Sequence, residues 1–142
     1  MLWIFVIIIV GYILINFFLS LNKDNYDLEH MNLSEKFKII VFNLNKSAYN
    51  GDGTITYLEK RSFNLYKEGS NQIINFHYST GHLTITWKYK YFQKEIKHSK
   101  QFDDVRNISI FDQQKIAEII INEMNIIINQ HKNDVLNGGK YY

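Results

Sequence analysis

A long apolar segment near the amino terminus limits the folds that this chain can adopt. Residues Leu2 to Leu21 read LWIFVIIIVGYILINFFLSL and carry no charged side chain. A helix rises about 1.5 Å per residue, so a segment of this length can cross the roughly 30 Å hydrocarbon core of a bilayer. We therefore predict a transmembrane helix over residues 1–22, with the lipid bilayer contacted through residues 2–21.

The flanks of this segment favour a retained anchor over a cleaved signal peptide. A secretory signal begins with basic residues and ends in small residues at its cleavage site. Here the first cationic side chain is Lys23, which follows the apolar segment, and Ser20-Leu21-Asn22 matches a cleavage site poorly. We expect the segment to stay attached to the domain that follows it.

Lysines beyond the apolar segment predict the orientation of the chain. Lys23, Lys36 and Lys38 lie within the window that the positive-inside rule counts, whereas only the amino terminus precedes the segment. The rule predicts a single-pass protein of the cell membrane whose soluble domain lies in the cytoplasm.

The rest of the chain divides into a short linker, residues 23–31, and a soluble domain, residues 32–142. Asn32 and Glu35 have the spacing of a helix capping pair, and apolar residues then recur at helical spacing from about Leu33 to Lys46. Five runs rich in β-branched and aromatic residues follow, most of them separated by turn residues. These runs are TITYLE, SFNLYK, QIINFHYS, LTITWKYKY and KEIKHSKQF.

A long helix is predicted at the end of the chain. Ser109 and Asp112 have the capping spacing, and Asn137-Gly138-Gly139 is a stop signal. The apolar stripe between them comprises Ile116, Ile120, Met124, Ile127 and Ile128. The order of elements predicts an α+β fold: a transmembrane helix, then a two-layer domain in which an antiparallel β-meander of four to five strands is flanked by an N-terminal and a long C-terminal helix.

Alternation along LTITWKYKY predicts which face of the sheet is buried. Trp87 and Tyr89 fall on the core face, where we expect both helices, and Lys88 falls on the solvated face. If Phe92-Gln93 is a two-residue hairpin loop, His98 pairs with Trp87 on the core face. His77 then lies on the opposite face.

The stretch AYNGDGTITYLE, from Ala48 to Glu59, resembles a calcium-binding EF-hand loop. Gly53 stands where that loop turns sharply, and Asn50, Asp52 and Glu59 stand at ligand positions. The first ligand position is Ala48, which has no side-chain oxygen, and the residues after Gly53 alternate like a strand. We therefore predict a turn between the first helix and the first strand, with no metal site.

No catalytic motif is legible in the chain. No phosphate loop, dinucleotide fingerprint, nucleophile elbow or HExxH occurs, and the chain has no cysteine. We predict neither an enzyme nor a cofactor, and the net charge of +2 is too small to predict a nucleic-acid partner. The five histidines are predicted not to converge on one site: His30, His77, His82, His98 and His131.

Two surfaces are candidates for contact with a partner. The solvated sheet face carries Lys88, Lys90, Lys97 and His77, and its lysines could meet anionic lipid if this face lies near the bilayer. On the last helix, Ile119 and Ile126 lie too far round to share the buried stripe. A third candidate, for association between anchors, is the polar stripe Tyr12, Asn16 and Ser20.

These observations support three hypotheses of function. The first is a non-enzymatic, membrane-anchored interaction domain that binds a protein partner or a second copy of itself. The second is a small-ligand or lipid-binding module, which requires an apolar pocket between sheet and helices. Such a pocket would be lined by Tyr57, Tyr66, Tyr78 and Tyr89. The third is an enzyme, which requires converging histidine or acidic side chains.

Overall fold

The structure is a computed structural model that describes residues 1–138. It is an α+β fold, as the sequence predicts. Five strands form one antiparallel sheet in the order β1-β2-β3-β4-β5. The elements in chain order are α1 Leu2–His30, α2 Leu33–Lys36, α3 Lys38–Tyr49, β1 Thr54–Glu59, β2 Ser62–Tyr66, β3 Gln72–Ser79, β4 His82–Tyr91, β5 Lys94–Phe102 and α4 Ile110–Leu136.

Helix α1 contains the predicted anchor and extends well beyond it. Its residues 2–23 form a helix long and apolar enough to span a membrane, and their side chains are almost all exposed. The segment predicted as a linker continues the same helix to His30, and Met31 then takes an extended conformation. Leu28 is only 6% exposed and belongs to the domain core. The anchor and the domain are therefore joined by helix rather than by extended chain.

The predicted first helix is broken at Phe37 and ends later than expected, at Tyr49. Phe37 leaves helical geometry and is fully buried, with its ring 5.6 Å from that of Tyr78. The break leaves backbone groups without helical partners, and the side-chain amide of Gln113 in α4 forms hydrogen bonds with two of them. It accepts from Ile39 N at 3.2 Å and donates to Lys36 O at 3.0 Å. Such an insertion is a recognised cause of a helix kink.

The predicted capping pair at the start of α2 is only half right. Asn32 occupies the N-cap position, but its side chain makes no capping hydrogen bond. At the start of α4 the prediction is confirmed, since Ser109 Oγ accepts from Asp112 N at 3.1 Å. Helix α4 ends at Leu136, and Gly139 of the predicted stop signal lies outside the described residues.

The sheet confirms the predicted meander and its facing. The loop of Phe92 and Gln93 has positive φ at both residues, as a two-residue type I′ hairpin requires. His98 consequently pairs with Trp87, as predicted. Trp87 is 2% exposed and its indole donates to Gln72 Oε1 at 2.9 Å, whereas Lys88 is exposed. Helices α3 and α4 both pack on the Trp87 face.

The stretch that resembles a calcium-binding loop forms a turn between α3 and β1, as predicted. Asn50 has left-handed geometry (φ 53°) and ends α3, and Gly51 follows with φ 89°. Gly53 N donates to Asn45 Oδ1 at 2.8 Å, and β1 continues from Thr54 to Glu59, the position of the last ligand, where an EF-hand has already entered its exit helix. A side chain at Gly53 would lie 2.6 Å from Asn45 Oδ1 and 2.7 Å from the Tyr49 ring, so packing explains this glycine.

Candidate interaction surfaces

The predicted sheet surface is exposed and lies on the face that none of the described helices covers. Lys88 and Lys97 are direct partners in the register of β4 and β5, and Lys90 is opposite Glu95. His77 is exposed on the same face, but it pairs with Thr84, four residues along β4 from Lys88. That separation is about 13 Å at the usual strand rise, so His77 does not join the lysine group.

The lysines border a shallow depression of about 340 Å³ on the uncovered face. Its floor contains Asn64 and Asn75, whose side chains are joined by a 2.9 Å hydrogen bond. Thr86 and Ser99 beside them are 3.0 Å apart, hydroxyl to hydroxyl. Alternation along β3 predicts Asn75 on the same face as Lys88, whereas sequence reasoning missed Asn64, its partner in β2. The depression is lined by Asn64, Ile73, Asn75, Thr86, Lys88 and Lys97.

The predicted contact residues of α4 are both exposed. Ile119 is 39% and Ile126 is 59% exposed. Seven residues separate them, so they share one side of the helix, turned away from the buried Ile116 and Ile120. Phe111, 63% exposed, lies eight residues before Ile119 and about 80° round the helix, and Lys115 Nζ lies 4.4 Å from the centre of its ring. Ile119 and Ile126 are thus two exposed apolar side chains that no element within residues 1–138 covers.

Both arginines of the chain hold the domain against α1, a contact that sequence reasoning missed. Arg61, between β1 and β2, donates to Leu21 O at 3.4 Å and to Asn25 Oδ1 at 2.6 Å. Arg106, between β5 and α4, donates to the backbone oxygen and the hydroxyl of Ser20, both at 3.3 Å. The sequence did contain a signal for this contact, because arginine occurs at only two positions and its planar group favours such contacts more than lysine does.

The Ser20 contact changes the interpretation of the polar stripe in the anchor. The stripe Tyr12, Asn16 and Ser20 was a candidate for association between helices, but the Ser20 hydroxyl accepts from Arg106 of the same chain. Tyr12 remains exposed on α1. Ser20 therefore belongs to the junction between anchor and domain.

Glu123 of α4 ties the helix to the inner face of β5. Its carboxylate lies 2.6 Å from Lys100 Nζ and 2.7 Å from His98 Nε2. The hydrogen bond from Lys100, and after it that from His98, lowers the pKa of the Glu123 carboxyl below its usual value. The cluster holds two layers together, and no hydroxyl nucleophile is among the partners that the structure describes for Glu123.

The other histidines lie apart from His98. His82 Nδ1, at the start of β4, lies 3.0 Å from Asp103 Oδ1, and His131 Nε2 is 2.9 Å from Lys94 O. His77 is on the opposite sheet face, and the side chain of His30 lies outside what the structure describes. Across the described part of the chain, no three histidine, aspartate or glutamate side chains are placed to share a metal ion.

The four tyrosines expected to line a ligand pocket are separated by the sheet. Tyr78 is fully buried on the inner face, whereas Tyr66 lies on the outer face, opposite Ile73. Tyr57 is on exposed edge strand β1 and its hydroxyl accepts from Ser34 N at 3.2 Å. Tyr89 is buried near α4. The four side chains therefore do not enclose one cavity.

Tyr49 is a buried titratable group with a structural explanation. Its hydroxyl lies 3.0 Å from Leu65 O and 2.8 Å from Gln72 O, which fixes the end of α3 on the sheet. Burial, with a smaller contribution from nearby Tyr66, raises the pKa of Tyr49 far above its usual value. The phenol therefore stays protonated and serves as a hydrogen-bond donor.

Comparisons with known proteins identify no relative of this chain. Protein-family models, curated proteins and solved structures were compared with the chain, and none matches it. Any inference about function therefore rests on the contacts, exposure and charge of its own residues.

Proposed function

We propose that this protein is a non-enzymatic interaction domain anchored in the cell membrane by a single helix. Residues 2–21 cross the bilayer, and the domain of residues 32–142 lies at the cytoplasmic surface. There it presents one side of α4 to a protein partner. Catalysis plays no part in this function.

The observation that carries this proposal is the attachment of the domain to α1. A domain on a flexible tether would sample many orientations, because a nonhelical linker of nine residues reaches up to roughly 30 Å. Here the linker is helical, Leu28 is buried in the core, and Arg61 and Arg106 bind α1 between Ser20 and Asn25. This attachment holds the domain in one orientation to the anchor, which suits a protein that presents a surface at the membrane.

The stripe of Ile119 and Ile126 is the surface that best fits a protein partner. Protein interfaces combine apolar and polar side chains, and the two isoleucines are exposed among polar neighbours. Asn122 lies between the two isoleucines and Glu118 beside them, all exposed. Single exposed apolar residues are ordinary, so the support for this surface is that the two isoleucines share one side of α4.

A ligand-binding module is the weaker candidate. The inner face of the sheet is filled by the core, and the four tyrosines expected around a pocket lie on different sides of the sheet. The enzyme hypothesis requires converging histidine or acidic side chains, and the described histidines lie apart from one another, so this hypothesis is also weaker.

Site-specific cross-linking tests the proposal in the full chain within its own membranes. A photoreactive amino acid at Ile126 should form one discrete adduct with a partner protein. The matched control is Asn125, which is adjacent but about 100° round the helix and should form none. Ile119→Asp should weaken the Ile126 adduct at least about tenfold, because a charge would enter the apolar contact. Equal labelling from both positions, or indifference to Ile119→Asp, would contradict the proposal.

A further inference from the structure

Helix α1 contacts different layers of the domain at successive positions along its length. Ser20 and Leu21 are reached by Arg106 and Arg61, which lie in the connections at one end of the sheet. Arg106 also lies beside Gly81, in the turn between β3 and β4. Leu28, eight residues and about 12 Å further along α1, is buried in the core beneath the helices.

The order of these contacts indicates which face of the sheet is turned towards the anchor. Along α1 the sheet layer comes first, the core second, and α2, which starts at Leu33, last. Because α1 is one continuous helix, its apolar residues before Ser20 extend beyond the sheet layer on the side away from Leu28 and the core. The uncovered face of the sheet is therefore turned back towards the segment that crosses the bilayer.

The chemistry of this face suits an anionic surface. Lys88 and Lys97 are direct cross-strand neighbours, and like charges in that arrangement destabilise a sheet unless a negative charge offsets them. Lys90 extends the group along β4. Within residues 1–138, Glu95 is the acidic side chain in register with these lysines, and it is opposite Lys90 rather than Lys88 or Lys97.

We propose that the uncovered face of the sheet rests on anionic lipid headgroups beside the anchor, with Lys88 and Lys97 as its main contacts. This inference rests on the proposed anchoring of α1 in the bilayer. Each lysine close to an anionic leaflet multiplies the docked population about fivefold. The polar floor of the depression, with its asparagine and hydroxyl groups, adds hydrogen-bonding groups for headgroup phosphates. The face of α4 that carries Ile126 would then point to the cytoplasm.

Thiol accessibility tests this orientation directly, because the chain contains no cysteine of its own. Ser99→Cys places one thiol on the uncovered face beside Thr86, and Asn122→Cys places a control thiol on exposed α4. Each full-length variant is put into nanodiscs of neutral phosphatidylcholine, or of the same lipid with about a third anionic phosphatidylglycerol. The rate of modification by a bulky water-soluble maleimide is then measured.

We expect the Ser99→Cys thiol to react at least about tenfold more slowly in anionic discs than in neutral ones, and the Asn122→Cys thiol to react equally in both. Adding Lys88→Gln, Lys90→Gln and Lys97→Gln to the Ser99→Cys variant should reduce the difference to below about twofold. Equal Ser99→Cys rates in both lipids would overturn the inference and leave this face to a protein partner. Failure of the chain to co-purify with either disc would instead contradict the anchor itself.

Discussion

Replacing Trp87 and its neighbour Lys88 by alanine should affect the stability of the domain very differently. Trp87 is 2% exposed, its ring lies between sheet and helices, and its indole donates to Gln72 Oε1 at 2.9 Å. Removing a buried aromatic side chain costs about 3–5 kcal/mol, because the apolar contacts are lost and a cavity remains. The lost hydrogen bond adds little, because Gln72 is partly exposed and its oxygen can bind water.

The cost of Lys88→Ala should be below about 0.5 kcal/mol. Lys88 is exposed on the uncovered face, and its removal relieves repulsion from Lys97. Urea unfolding of the full chain in a non-ionic detergent, followed by circular dichroism, measures both variants. We expect Trp87→Ala to lower the unfolding midpoint by about 2 M and Lys88→Ala to leave it nearly unchanged. A silent Trp87→Ala together with a destabilising Lys88→Ala would refute the assigned facing of the sheet.

Three further predictions follow from particular contacts. Gln113→Leu should destabilise the domain by about 1–3 kcal/mol in the same urea assay, because Ile39 N and Lys36 O lose their partners, while exposed Gln114→Leu should not. Arg106→Gln should speed amide exchange in the linker part of α1 at least about fivefold, because charged hydrogen bonds to Ser20 are lost; unchanged exchange would show that they do not hold the helix. The carboxyl of Glu123 has a pKa lowered in the folded state, so its stabilising effect is present above the usual glutamate pKa of about 4.3 and is lost as the pH falls through the lower folded value. Acid unfolding should therefore be steeper in the wild type than in Glu123→Gln, and equal slopes would contradict the assigned contact.

Much of the sheet was predictable from sequence because its signals are local. Alternation along β4 assigns Trp87 and Lys88 to opposite faces, and a two-residue loop determines the pairing of β4 with β5. Ser109 and Asp112 are three residues apart, so their capping bond was also visible. Each of these features depends on residues that are neighbours in the chain.

The features that sequence reasoning missed depend on contacts between distant residues. The break at Phe37 is stabilised by Gln113, more than seventy positions away, and the partner of Ser20 is Arg106. Helical continuation of α1 beyond Lys23 follows from the burial of Leu28 in a core that the local pattern does not reveal. Of the candidate surfaces, exposure of the lysines and isoleucines was predictable, whereas the direction of the sheet relative to the anchor was not.

The chain should remain attached to its membrane through residues 2–21. The most direct test is mass spectrometry of the membrane fraction after an alkaline carbonate wash, which removes peripheral proteins. We expect an intact chain of 17.0 kDa in the washed membranes. A shortened chain that begins near Asn22, or an intact chain released into the wash, would contradict it.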